Sequence, residues 1–223
     1  MDHMLIIPDG DRRYATQKGI SKTDAYEKAA GIVRNLARWV LVDNDVKELT
    51  FFGLSYSNVI KRANEDLAPI LEVQTEALNS YVEDDFFKQN EIKISVYGQM
   101  EVLPKEYVKA VIKAEKATSK FSKRHFNLLL GYSGQLDMEQ AIAKAAKDDK
   151  KPTMDNIISR CQLHKPIDFV IRTANESRMS DGPFFLIRYA EFHSVPAYFP
   201  DLSKEDIDNS IKVYDSRRRT FGI

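Results

Sequence analysis

Short apolar runs alternate along the chain with longer amphipathic ones. Met4–Ile7, Glu48–Leu54, Ile92–Tyr97, Phe126–Leu130, Asp168–Ile171 and Val195–Phe199 read as strands, several of them apolar on both faces. Strands without a polar face belong to a parallel sheet covered by helices on both sides. Between them, helical periodicity predicts helices at about 22–42, 66–88, 104–121, 136–148 and 153–163. Pro104 suits a first-turn position. Ser203 with Asp206 reads as a capping box opening a last helix that runs to about Arg219. This β-α alternation predicts an α/β fold, a parallel-sheet sandwich of about six strands flanked by helices. In such folds ligands bind outside the carboxyl ends of the strands.

Composition narrows the classes. The chain has 223 residues, and no Gly/Ser/Pro-rich linker divides it, so one domain over 1–223 is expected. Lys plus Arg and Asp plus Glu both number 33, so no global field draws nucleic acid, and any anion site must be local. Cys161 is the sole cysteine, which excludes an intrachain disulfide and fits a reducing, cytoplasmic setting. The start lacks the pattern of a signal peptide, and no run approaches the roughly 20 apolar residues that span a bilayer. No Cys/His cluster has zinc-ligand spacing.

Three clusters carry candidate chemistry. In Ile6-Ile7-Pro8-Asp9-Gly10-Asp11-Arg12-Arg13-Tyr14 an apolar strand delivers a carboxylate, a glycine and two arginines just before a helix. Asp9 suits Mg²⁺, which takes carboxylate and phosphate oxygens. Gly10 lets backbone approach an anion at a helix start, and Arg13 can grip diphosphate oxygens. An ordinary turn with a surface ion pair is the plainer alternative. In Phe169-Val170-Ile171-Arg172-Thr173-Ala174-Asn175-Glu176-Ser177-Arg178-Met179-Ser180, Arg172 ends an apolar strand where a lone charge needs an anion. With Arg178 and Ser180 it can form a second diphosphate pocket, or it can pair internally with Glu176. Glu191 lies on a helix-like stretch and alone says little. The helix over 66–87 presents apolar positions, including Leu67, Ile70, Leu78 and Tyr81, that either belong to the core or wall a greasy tunnel.

With these blocks in hand, the chain resembles the cis-prenyltransferase family, the undecaprenyl diphosphate synthase-like proteins, nearly end to end. The family's Asp-Gly-Asn-x-Arg-[Trp/Tyr]-Ala loop is matched by Asp9-Gly10-Asp11-Arg12-Arg13-Tyr14-Ala15. Its Arg-x-x-x-Glu-x-Arg-x-Ser block is matched by Arg172, Glu176, Arg178 and Ser180, and its later glutamate by Glu191. The resemblance implies a homodimer that joins prenyl diphosphates with Mg²⁺. Asp9 and Glu191 would be the metal residues. Gly10, Asp11, Arg12, Arg13, Tyr14, Ser55, Arg172, Arg178 and Ser180 would bind substrate, and Asn58 would join Asp9 in catalysis. No nucleic acid is implied; contact with a membrane surface is left open.

The departures matter too. Asp11 stands where the family has Asn, and Ser55-Tyr56-Ser57-Asn58-Val59 replaces Ser-[Ser/Thr]-Glu-Asn-Trp. The stretch 19–28 retains neither of the family's donor-site Arg and His, which leaves Lys22 or Lys28 to compensate. Gly131–Gln135 replaces an Asn-Tyr-Gly-Gly-Arg segment, and Thr220 takes the place of an arginine in the closing Arg219-Thr220-Phe221-Gly222. The run around Gln17–Tyr26 resembles the branch that makes lavandulyl-type products by head-to-middle coupling. Two other classes are weighed. A haloacid-dehalogenase-type phosphatase would use Asp9 and Asp11 but needs a strand-end acidic pair, and Asp84-Asp85 and Asp148-Asp149 lie in helical or polar stretches. A non-catalytic partner subunit would need none of the retained charged residues.

Overall fold

The computed structural model describes residues 1–147 and 153–217. In chain order it runs β1 (His3–Ile7), α1 (Asp11–Lys18), α2 (Lys22–Leu36, continued by a π-helical segment Ala37–Asp43), β2 (Glu48–Ser55), α3 (Tyr56–Lys61), α4 (Asn64–Glu83), α5 (Asp85–Gln89), β3 (Ile92–Tyr97), α6 (Lys105–Thr118), β4 (Arg124–Tyr132), α7 (Gly134–Ala145), α8 (Met154–Ile158), β5 (Phe169–Arg172), β6 (Glu191–Ser194) and α9 (Lys204–Ser216). The six strands form one sheet in the order β3-β4-β2-β1-β5-β6, and every pairing is parallel.

Side-chain alternation explains why the strands lack a polar face. Met4 and Ile6 join the core beneath α2, α4 and α6, whereas Leu5 and Ile7 join the one beneath Leu163, Ile167 and Leu186 on the opposite face. Two glycines interrupt the alternation. Phe51 and Leu54 face the same core although Phe52 faces the other, and the register of β2 against β4 shifts between them at Gly53. Likewise Leu130 and Tyr132 fall on opposite faces across Gly131, whose φ is 62°. Both irregularities lie near the carboxyl ends of adjacent strands.

Local sequence sets most helix starts. Ser21–Asp24 and Ser203–Asp206 are capping boxes, and the Ser55, Ser133 and Thr153 side chains cap α3, α7 and α8. Pro104 is the residue just before α6. Three expectations need correction. The helix expected over 66–88 is two, because the Asp84 side chain caps a new start by accepting from the Phe86 amide. The last strand is Glu191–Ser194 rather than Val195–Phe199, where Phe199–Asp201 instead forms a 3₁₀ turn. Glu191 is therefore on a strand, not a helix. The helix over 153–163 is confined to Met154–Ile158. Positions 148–152 and 218–223, including Asp148-Asp149 and Arg219-Thr220-Phe221-Gly222, lie outside the described residues.

A polar network sits at the opposite end of the sheet from the site. His3 Nε2 lies 2.7 Å from Thr50 Oγ1 and its Nδ1 2.9 Å from the Pro166 carbonyl. Asn127 donates to Glu48 (2.6 Å), which also holds Lys165 (2.8 Å). Burial pushes His3 below the ordinary imidazole value of 6.5, although Glu48 partly offsets it. His125 and His193 shift the same way, again through burial. Below that value the unfolded chain takes up protons that the folded chain refuses, so stability rises with pH across this window and is lost as pH falls. The free energy of unfolding should fall as pH drops below 6.5, by up to about 1.4 kcal/mol per pH unit from His3, and the melting temperature should fall with it. His3→Gln should show a shallower drop; an equal drop in both would remove His3 from the account.

Candidate active site

β1 ends at Ile7, and Pro8-Asp9-Gly10 carries the chain into α1. Gly10 has φ 106°, and a Cβ there would lie 2.5 Å from the Tyr198 ring, so only glycine fits. The turn is bolted to the end of β5. The Asp9 amide donates to Thr173 Oγ1 (2.7 Å), and that hydroxyl donates back to the Asp9 carbonyl (2.8 Å). The loop after β5 holds three non-glycine residues at positive φ, Ala174, Asn175 and Ser180, a costly backbone that marks functional segments.

These two loops bring opposite charges together. The Asp9 carboxylate accepts from Arg172 Nη2 (2.8 Å) and Arg13 Nη2 (3.1 Å), with Arg178 at 3.6 Å. Glu176 takes Arg13 (3.0 Å) and Arg178. Arg172 also donates to Ser180 Oγ (3.0 Å) and to the Arg178 carbonyl. So the internal partner of Arg172 is Asp9, not Glu176. Arg172 is 4% exposed, and its Nε is buried without a partner among the described residues. Burial pushes Asp9 up, but hydrogen bonds from Arg172 and Arg13 outweigh it and hold the carboxyl below its ordinary value. Asp11 differs. Its Oδ1 is buried and unpartnered, and burial followed by the Asp9 charge pushes it up to about 6.

Beneath this cluster opens a cavity of about 390 Å³. Asp9, Gly10, Asp11, Arg12, Arg13, Ser55, Asn58, Arg172, Arg178 and Ser180 all line it. Three polar lining residues went unmarked in the sequence, Arg62 just past α3, Tyr26 on α2 and Gln74 on α4. Arg62 carries the same signal as the others, a basic side chain a few residues past a strand end. Among the described residues five arginines line the mouth against two aspartates and the adjoining Glu176, a surplus of positive charge that calls for an anion. The depth is apolar, walled by Ala29, Ala30 and Val33 of α2, Ile70 and Val73 of α4, and Phe51, Leu54 and Phe199. The helix over 66–87 thus serves both readings, core and wall.

Other expected residues lie elsewhere. Tyr14 does not line the cavity; it is buried, and its hydroxyl accepts from Lys28 (2.6 Å). Lys28 also binds Asp201 (2.6 Å), and Lys22 binds Asp66 (2.5 Å), so both lysines are already paired. Glu191 stands opposite Phe169 at the amino end of β6, three residues before the level of Arg172, and pairs with Arg217 (2.5 Å). The structure does not bring it to Asp9.

A strand-end arginine mouth over an apolar pocket is the geometry of a site for amphiphilic anions. The sequence profile of the family described as putative undecaprenyl diphosphate synthase matches residues 7–222. The chain belongs to that family. It is accordingly a prenyltransferase of the cis type, an assignment its relatives share. The tritrans,polycis-undecaprenyl-diphosphate synthase (geranylgeranyl-diphosphate specific) of Pyrobaculum aerophilum is 30% identical over 227 residues, covering 99% of this chain and 95% of the relative. The enzyme of the same name from Thermoplasma volcanium is 32% identical over 231 residues, covering 99% and 88%. Two solved structures share the fold. Lavandulyl diphosphate synthase from Lavandula x intermedia, in complex with dimethylallyl diphosphate, superposes with a TM-score of 0.93 at 24% identity, covering 100% of this chain and 98% of that one. A probable undecaprenyl diphosphate synthase from Campylobacter jejuni gives 0.85 at 21%, covering 100% and 99%. At that identity the likeness concerns the fold alone.

Proposed function

We propose that this cis-prenyltransferase condenses an allylic prenyl diphosphate with a second prenyl diphosphate, gives a short product, and couples two allylic diphosphates head to middle. The observation that carries diphosphate binding and a short product is the pairing of the five-arginine mouth with an apolar pocket of only about 390 Å³; the head-to-middle mode is supported by the resemblance of the run around Gln17–Tyr26 to the lavandulyl-type branch. Such a pocket buries a short prenyl chain below its diphosphate. The whole chain acts as one domain, as a cytoplasmic homodimer. Among the described residues no helix is long and apolar enough to cross a membrane.

The donor set fits Mg²⁺. Asp9 offers one carboxylate beside the place where diphosphate oxygens would gather, and the described residues hold no group of three or more potential protein ligands. One carboxylate plus substrate phosphates is a usual Mg²⁺ environment. When bound, the ion would neutralise the diphosphate as it departs. Arg13 and Arg12 grip the donor diphosphate at the start of α1, where free backbone amides add to the field. Arg172, Arg178 and Ser180 exchange their present partners for the acceptor diphosphate. Asn58 and Ser55, at the start of α3, flank the reacting carbons, and the apolar wall aligns the two chains and excludes water.

A second reading is supported by the relatives, whose names describe synthesis of undecaprenyl diphosphate from geranylgeranyl diphosphate: ordinary cis elongation with isopentenyl diphosphate. Product analysis decides. Labelled dimethylallyl diphosphate with Mg²⁺ should by itself give a ten-carbon product. Product only when isopentenyl diphosphate is added would establish elongation instead, and no product from either mixture would favour a non-catalytic subunit.

A further inference from the structure

Below the main cavity lies a second, apolar one of about 50 Å³, and the two share Ala30, Val33, Phe51 and Gln74. The lower cavity runs on between α4 and the sheet, past Ala77 to Tyr81. Of the shared residues only Gln74 is polar, and it is pinned at both ends. Its Oε1 accepts from the hydroxyl of Tyr107 (2.6 Å), a residue 1% exposed, and its Nε2 donates to the Gly53 carbonyl (3.2 Å). That carbonyl belongs to the irregular stretch of β2 where the register against β4 shifts.

We propose, on the reading above, that the Gln74 carboxamide is a fixed polar neck that sets how long a prenyl chain the site accepts. A freely rotating side chain at this point would swing aside for a longer chain. Gln74 cannot do so without leaving the Tyr107 hydroxyl and the Gly53 carbonyl unpaired in an apolar wall. An isoprenoid tail reaching the neck must also lie against an amide that gains nothing from it. The head cavity is thereby closed to chains that the lower cavity has room to continue.

The test measures binding of non-reacting prenyl S-thiolodiphosphates of five, ten, fifteen and twenty carbons to the intact protein, with inorganic pyrophosphate as competitor. In the unmodified protein affinity should rise from five to ten carbons and then flatten. In Gln74→Ala the fifteen- and twenty-carbon analogues should each gain at least about tenfold, since more methylenes find apolar surroundings. Adding Ala77→Phe to Gln74→Ala should block the lower cavity and return the flat profile. Gln74→Leu, which is apolar but fills the space, keeps the test readable if the alanine variant is poorly folded: it should bind the longer analogues better than glutamine does.

Affinity that keeps climbing to twenty carbons in the unmodified protein overturns the neck, as does a flat profile in both Gln74 variants. Displacement of the analogues by pyrophosphate would then still support the arginine mouth. Failure of every analogue to bind would overturn the site reading and the neck together.

Discussion

Asp9→Asn should lower turnover by about 10³-fold, in the range found when one preorganised charge-stabilising group is removed, while the protein remains folded. Arg172 and Arg13 donate to different oxygens of Asp9, at 2.8 and 3.1 Å, so asparagine keeps an acceptor for one of them and turns its NH2 toward the other. It loses the charge that would fix Mg²⁺ and that balances a buried guanidinium. The second loss also acts on stability, because Arg172 is 4% exposed. A buried charge whose partner is weakened but still accepting costs about 1–3 kcal/mol. Asp9→Ala leaves Arg172 without that acceptor and is expected to cost more. The measurement is the rate at saturating substrate and Mg²⁺ set beside a thermal melt of the same sample. A rate within a few fold of the unmodified enzyme, with an intact melt, would remove Asp9 from the chemistry and leave the Asp9–Arg172 pair as a purely structural clasp.

Local pattern carried much of this architecture. Ile92–Tyr97 falls on its expected bounds, and the first five strands lie within two residues of theirs, because each is a short apolar-rich run set between longer amphipathic stretches. β6 was misplaced for the converse reason. It is an edge strand of Glu-Phe-His-Ser with every residue half-buried, and Tyr189 and Phe192, three apart, imitate a helix. The apolar residues that follow, Val195 and Phe199, are buried by the loop instead.

The charged mouth was legible too, since Asp9 and Arg172 each end an apolar strand and adjacent parallel strands end side by side. What stayed hidden depends on contacts distant in sequence. Tyr26 reaches the cavity from α2, before β2 in sequence, and Arg62 from just past α3, after it, and Gln74 looks like one more polar position of an amphipathic helix until Tyr107 and Gly53 fold against it. The partners of Lys22 and Lys28 were hidden for the same reason: Asp66 and Asp201 arrive from later elements to pair with them.

Gly98→Ala should be the most damaging small substitution in the molecule, lowering stability by about 4 kcal/mol or more, a size reserved for strain and severe clashes. Gly98 follows β3 with φ 149°, a region that L residues rarely enter, and its missing Cβ would fall 1.9 Å from the Leu130 carbonyl oxygen and 2.8 Å from its carbon. Both obstacles are backbone, so no side chain can swing away. They also belong to the stretch of β4 that lies against Gly53 and walls the lower cavity through Leu130. The neighbouring Gln99 amide donates to the Gly131 carbonyl (3.0 Å), so relief by moving this loop would break that bond and push β4 toward the pocket. Gly19→Ala supplies the comparison: its φ is 65°, yet nothing lies within 4 Å of the added carbon, so only the left-handed backbone is penalised, at about 1–2 kcal/mol. Thermal melts of the two variants separate strain from collision. For a chain of this size the Gly98 variant should melt roughly 10 °C or more below the unmodified protein and the Gly19 variant by about a third of that. Equal shifts would mean that the end of β3 yields where the packing says it cannot.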